Sequence, residues 1–249
     1  MQAVVGYHRP ESLEEALSLL KRPSPRSVVL AGGTLLNAAG SSEPIEMIDL
    51  QAIGIDGIRT DDTGVEIGAM VRLSELVAQP AVPELLRELA HREGPNTLRN
   101  AATVGGTIAT GDPDSELLAG WLAYEGQVGL AREGGVALTV GLGELLADRS
   151  MLEGSIITTL RVEADGVATA ERTGRTPSDT SIVAAVGRRA PTGGINLALT
   201  GVASTPILVA PDDVAALNPR GDYRGSGEYR LRLARTLVGR VIDRLGEQS

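Results

Sequence analysis

Three strand-like runs stand in succession in the second half of this chain. They are "SIITTLRVE", "TSIVAAVGRR" and "GINLALTGV", separated by Gly, Pro, Ser and Thr. One long helical pattern then closes it, "EYRLRLARTLVGRVIDRL", with Leu233, Leu237, Val241 and Leu245 on a single stripe. The first half mixes the two periodicities. Ser12-x-x-Glu15 reads as a capping box, and Leu13, Ala16, Leu17 and Leu20 repeat on one helical face until Pro23 and Pro25 end it. "SVVLAGG", residues 27–33, reads as a short buried strand running into a glycine turn, and "PIEMIDL" as another ending near Leu50. "GIRTDDTGVEIGAM" predicts a hairpin turning at Asp61-Asp62-Thr63-Gly64, and "VGLARE" with "VALTV" a second one around Gly134-Gly135. Helices are expected at Leu73–Ala78 and Pro83–Arg92, while "SELLAGWLAYEG" reads as a helix or the approach to a strand. This order of elements suggests an α+β protein with boundaries near residues 50 and 163.

Composition narrows the function. Hydrophobic residues make up 42% but aromatics only 2%, with no Phe, so the core must be aliphatic. The absence of cysteine excludes disulfides, zinc–thiolate sites and a resident iron–sulfur cluster. His8 and His91 are the only imidazoles and lie far apart in sequence, so no metal site is expected. A net charge of −9 argues against nucleic-acid binding. No apolar run is long enough to span a bilayer, and the N-terminus lacks the basic-then-apolar order of a secretory signal, which predicts a cytoplasmic protein.

Two glycine segments carry the chemistry. In "VVLAGGTLLN" a buried strand stops at Gly32-Gly33-Thr34, exposing successive backbone N–H groups as a small anion-binding concavity. In Thr103-Val104-Gly105-Gly106-Thr107 the glycines permit close backbone approach and the threonines add hydroxyls; the plainer reading is a β-turn. Two such nests about 70 residues apart, both after apolar runs, predict a bipartite clamp on a diphosphate. The acidic "DPDSE" that follows suits a ligand with donor groups, which together describes a nucleotide. "VALTVGLGELLAD" only begins like a dinucleotide fingerprint, since Leu146 holds the third glycine position. The arginines of the last helix, Arg230, Arg235, Arg240 and Arg244, read as the solvated face of a packing helix. No nucleophile–base set, Walker A or HExxH is present, so the catalytic residues are unknown and the chain reads as the holder of a cofactor.

"LAGGTLL" followed by "LRNAATVGGTIATGDPDSEL" resembles the FAD-binding, medium flavoprotein subunit of the molybdenum hydroxylases, of the carbon monoxide dehydrogenase and xanthine dehydrogenase type. "YHRPESLEEALSLL" and "RGSGEYRLRLARTLVGRVI" resemble the family's two ends. The resemblance implies an FAD fold of the vanillyl-alcohol-oxidase type in two subdomains, 1–50 and 51–162, then a shortened C-terminal α+β domain, 163–249. It implies that Leu30, Ala31, Gly32, Gly33, Thr34, Leu35 and Leu36 wrap the pyrophosphate from one side. Thr103, Gly105, Gly106 and Thr107 would wrap it from the other. Thr110, Ser115 and Glu116 match positions touching the ribityl and adenosine parts, and Ile157 matches an apolar contact of the flavin ring.

In the family, electrons leave a molybdopterin subunit, cross an iron–sulfur subunit and reach this FAD; the missing cysteines fit that division. Leu35 stands where relatives carry a small polar or acidic residue, and Thr180 where an aromatic covers the flavin. Arg172 matches a nearby family Lys or Arg, and the stretch between Pro206 and Asp222 is short. The expected function is electron transfer from an iron–sulfur partner to NAD or a quinone. The rivals are a stand-alone flavoenzyme that oxidises or cyclises a small molecule, for example in specialised metabolism, and a scaffold that has lost FAD.

Overall fold

The computed structural model describes residues 4–34, 44–174, 176 and 179–247. Its first sheet is parallel, with strands β1 (Val4–His8), β2 (Arg26–Leu30) and β3 (Ile45–Asp49) in the order β1-β3-β2. Helix α1 (Leu13–Leu20) covers it, burying Ala16, Leu17 and Leu19 with Ile48 and Leu50. The capping signal is realised at α1: Ser12 Oγ accepts from Glu15 N at 3.2 Å, while the Glu15 carboxylate reaches back to Glu11 N at 3.1 Å.

The second sheet is antiparallel. It contains β4 (Ile58–Asp61), β5 (Gly64–Gly68), β6 (Gln127–Arg132), β7 (Val136–Gly141) and β8 (Ser155–Glu163), in the order β4-β5-β8-β6-β7. Both predicted hairpins are present, and Asp61 organises the first by accepting from Thr63 N at 2.9 Å. Between the sheet's strands run α2 (Leu73–Ala78), α3 (Glu84–Arg92), α4 (Asn96–Arg99), α5 (Val104–Thr110), α6 (Glu116–Ala123) and α7 (Leu142–Ala147). The stretch read as helix or strand is α6, and all eight of its residues are buried, Trp121 completely. An all-round apolar helix of this kind has no stripe to read, which is why its pattern was ambiguous.

The third sheet, also antiparallel, orders β9 (Val167–Thr173), β10 (Val183–Arg189), β11 (Ile195–Leu199) and β12 (Ile207–Leu208) as β12-β11-β10-β9. Helix α8 (Gly227–Glu247) packs on it through Leu237, Val241 and Leu245. Gly187 makes that packing possible, since a Cβ there would lie 2.4 Å from Val241 Cγ1. One expectation for α8 is overturned. Arg230 is 3% exposed rather than solvated, donating to the carbonyls of Ile182 at 2.7 Å and Gly201 at 2.8 Å and pairing with Asp222 at 2.7 Å. Arg240 and Arg244 pair with Glu171 instead, and both keep more than half of their side-chain surface exposed. Among the described residues no helix is long and apolar enough to cross a membrane.

Candidate functional site

After β2 the chain turns through Ala31–Thr34, with Gly33 at a φ of +68°. The turn presses against the backbone before α5: a Cβ on Gly32 would stand 1.9 Å from the Ala101 carbonyl oxygen. Among the described residues the N–H groups of Gly32, Gly33 and Thr34 have no hydrogen-bond partner. Three unpartnered donors on a turn where Gly32 leaves no room for a Cβ suit a phosphate group.

The second glycine segment is built differently from the nest the sequence suggested. Thr103 is the N-cap of α5, its Oγ1 accepting from Gly106 N at 3.1 Å. Val104 N donates to Val71 O at 2.9 Å and Gly105 N to Ala69 O at 2.8 Å. The hydroxyls of Thr107 and Thr110 donate to Thr103 O at 3.0 Å and Gly106 O at 2.8 Å. These donors are therefore used within the protein, and the segment is neither a nest nor a β-turn. The pair of poor helix formers pointed to a turn, whereas Gly105 serves packing: its Cβ would lie 2.8 Å from Ala69 Cβ. Gly106 is different, because a Cβ there would meet only Thr103 Oγ1, at 3.1 Å. It leaves α5 smooth on the side of the first glycine turn.

Between the two segments lies a cavity of about 570 Å³. Ala31, Gly32, Gly33, Thr34, Thr103, Gly105, Gly106, Thr107, Thr110 and Ile157 all line it, so ten of the expected cofactor residues converge. Leu30 ends β2 beside Asp49 and is not part of the wall. Leu35 and Leu36 lie outside the described residues. The remaining wall is largely aliphatic, from Val28, Val29, Leu50, Met70, Leu73 and Ile156 among others. Nothing in the sequence separates these from ordinary core residues, so they were not foreseen.

Ser115, Glu116, Arg172 and Thr180 gather elsewhere, around a polar recess of about 80 Å³ that also includes Arg92, Asp114 and Ser181. The recess and the larger cavity share Glu93 and Asp112. Glu116 is 6% exposed, and its Oε1 accepts from Arg172 Nε at 2.7 Å. Arg172 also donates to the carbonyl of Asp179, holding the segment before β10 against the recess. The acidic loop that forms one wall is held by the turns after β11 and before α8: Arg224 binds Asp114 at 2.6 Å, and Gly201 N donates to Pro113 O at 2.9 Å.

Glu93 is the site residue that sequence reasoning missed. It follows α3 and looks like any charge at a helix end, yet its Oε1 accepts from Ser115 Oγ at 2.8 Å and from Leu117 N at 3.0 Å. Burial pushes its carboxyl up to about 7; the two donors pull the other way, and the charges of Asp112 and Glu116 add to the rise. The folded protein thus holds a proton on Glu93 that the unfolded chain releases at ordinary carboxylate pH. That stabilisation is complete in acid and is lost as pH rises through about 7. The urea midpoint is accordingly expected to fall between pH 6 and pH 8, and Glu93→Gln should flatten the fall. A variant that keeps the wild-type pH profile would remove Glu93 from this role.

Comparison with known proteins places the chain in a family. The uncharacterized protein YgfM of Escherichia coli K12 is 29% identical over 249 residues, covering 93% of each chain. The carbon monoxide dehydrogenase medium chain of Hydrogenophaga pseudoflava is 29% identical over 273 residues, covering 95% of each. The solved carbon monoxide dehydrogenase from that organism superposes with a TM-score of 0.88 at 26% identity, over 98% of this chain and 97% of that one. The family described as the FAD binding domain in molybdopterin dehydrogenase matches residues 3–162, and the chain belongs to it.

Proposed function

We propose that this chain is the flavin subunit of a molybdenum hydroxylase, taking electrons from an iron–sulfur partner and passing them to NAD or a quinone. The observation that carries the reading is the convergence of the two glycine segments on one cavity, with unpartnered N–H donors on one side only. Those donors, at Gly32, Gly33 and Thr34, would hold the pyrophosphate of FAD, and the smooth Gly106 face of α5 would let it approach. The aliphatic wall around Leu50, Met70 and Ile157 would exclude water from the ring. When bound, FAD supplies a redox centre able to exchange electrons singly or in pairs.

Relatives that cover 95% of this chain support the partners. One is a medium chain of carbon monoxide dehydrogenase, and another is subunit alpha of the 6-hydroxypseudooxynicotine dehydrogenase complex of Paenarthrobacter nicotinovorans, 28% identical over 95% of this chain and 92% of its own. On this reading the iron–sulfur and molybdopterin centres sit on other chains. The three sheets support a division near residues 50 and 163, the first two parts forming a vanillyl-alcohol-oxidase-type FAD fold.

A second reading, a stand-alone flavoenzyme, draws on the exposed Thr180, which is too small to cover a flavin ring. The purified protein is expected to be yellow and to release FAD on denaturation. It should show no turnover of an organic substrate by itself, while accepting electrons from a reduced iron–sulfur partner. A chain that stays colourless with added FAD overturns both readings, and steady turnover by the chain alone selects the second.

A further inference from the structure

Glu93 stands where the larger cavity meets the polar recess, and it lines both. Its hydrogen bonds come from neutral donors, the Ser115 hydroxyl and Leu117 N, and both go to Oε1. It is also the C-cap of α3, the helix end that carries partial negative charge. The cations nearby are engaged with other groups. On α3, Arg92 reaches Glu88 at 3.5 Å and Glu116 at 3.6 Å, while His91 is exposed. From α4, Arg99 donates to the carbonyls of His91 and Gly94. The acidic loop brings Asp112 and Asp114 to the recess and α6 brings Glu116; Arg224 pairs with Asp114, and Arg172 of β9 with Glu116. The charges that act on Glu93 are those of Asp112 and Glu116, both of its own sign. A carboxyl in this setting exchanges its proton near neutral pH rather than in acid.

We infer that filling the larger cavity with its anionic cofactor draws a proton onto Glu93, so that the chain holds FAD more tightly in acid than above neutral pH. The inference rests on the FAD reading above and adds to it the condition under which the cofactor stays bound. Occupying the cavity acts on Glu93 in two ways. It displaces the water bordering the carboxyl on that side, and it brings the negative charge of the pyrophosphate into the same enclosed space. Both disfavour the carboxylate, and neither opposes the other. The coupling is reciprocal: whatever the bound cofactor adds to proton affinity, the bound proton adds to cofactor affinity. With Oε1 already accepting two bonds, the proton belongs on Oε2. No contact between Glu93 and the cofactor is required, only a shared wall.

The test titrates FAD onto the intact chain from pH 6 to pH 9, by quenching of flavin fluorescence. The wild type is expected to lose about tenfold in affinity across that range, the effect of raising the proton affinity of one carboxyl about tenfold on binding. In weakly buffered solution at pH 7.5, binding should take up about half a proton per chain, a measurement that needs no variant. Glu93→Gln keeps an oxygen to accept from Ser115 and Leu117 but cannot ionise, so its affinity should not vary with pH and should exceed that of the wild type at pH 9. A gain of that kind cannot come from damage to the fold. Wild-type affinity that is level across the range, or a slope that persists in Glu93→Gln and so belongs to another group such as His91, overturns the inference and leaves the FAD reading standing. A wild type that binds no flavin at any pH overturns both.

Discussion

A Gly32→Ala chain is expected to bind FAD at least about a hundredfold more weakly than the wild type. The added methyl would stand 1.9 Å from the carbonyl oxygen of Ala101, and 2.7 Å from its carbon. Both are backbone atoms, so no rotamer change relieves the clash. The turn must move away from the start of α5 by an ångström or more, taking the N–H groups of Gly33 and Thr34 with it. Losing two hydrogen bonds to a charged phosphate costs about 3 kcal/mol at the low end, which is about a hundredfold in affinity. The parallel sheet itself has other support, since Val28, Val29 and Leu30 remain paired with Met47, Ile48 and Asp49. The defect should thus appear in flavin titration well before it appears in thermal unfolding. Gly194→Ala is the control, because nothing lies within 4 Å of a Cβ there. Retention of FAD by Gly32→Ala within a fewfold of wild type would place the phosphate elsewhere.

What could be read from the sequence follows from which physical signal each element carries. The turn at Asp61–Gly64 and the cap at Ser12 are local: the residues that make them lie within four positions, and both stand as expected. The aliphatic core was equally legible, because an apolar stripe such as Leu237, Val241 and Leu245 needs only a period. The glycine pair at 105 and 106 was found but given the wrong geometry. Its Thr103 cap was visible, yet what makes glycine necessary at 105 is Ala69, thirty-six residues away, whose contact no local pattern announces. The same limit explains Arg230 and Glu93. Each occupies a position where charged residues normally meet water, and each is matched by groups brought in from distant segments, Ile182 and Gly201 for one, Ser115 and Leu117 for the other. The recess beside Glu116 belongs to this class too. Ser115, Glu116, Arg172 and Thr180 were named singly from resemblance, but that they gather around one recess with Arg92 and Ser181 is a property of the folded chain alone.

Arg188→Ala should lower the melting temperature by about 6–12 °C. Arg188 is completely buried on β10, with Tyr124 beneath it at 5.1 Å from the ring centroid. It donates to Glu163 Oε2 at 2.8 Å, to Glu125 Oε2 at 3.2 Å and to the Asp165 carbonyl at 2.9 Å. The ion pairs are the smaller part of its worth. About half of each partner carboxylate's surface is exposed, so both glutamates return to water at little cost once the arginine is gone. The larger losses are the void left by a long buried side chain and the stacking on Tyr124, together about 3 kcal/mol. In a chain of this size that corresponds to the stated shift. Arg188→Met separates the contributions: it restores most of the volume without the charge, and should recover about half of the loss. Because Arg188 ties the third sheet to the ends of α6 and β8, the loss should appear as unfolding of the whole chain, followed by circular dichroism. A melting temperature within about 2 °C of wild type for the alanine variant would show that neither the packing nor the pairing at Arg188 matters to stability. A methionine variant as damaged as the alanine one would instead give the charge the leading part.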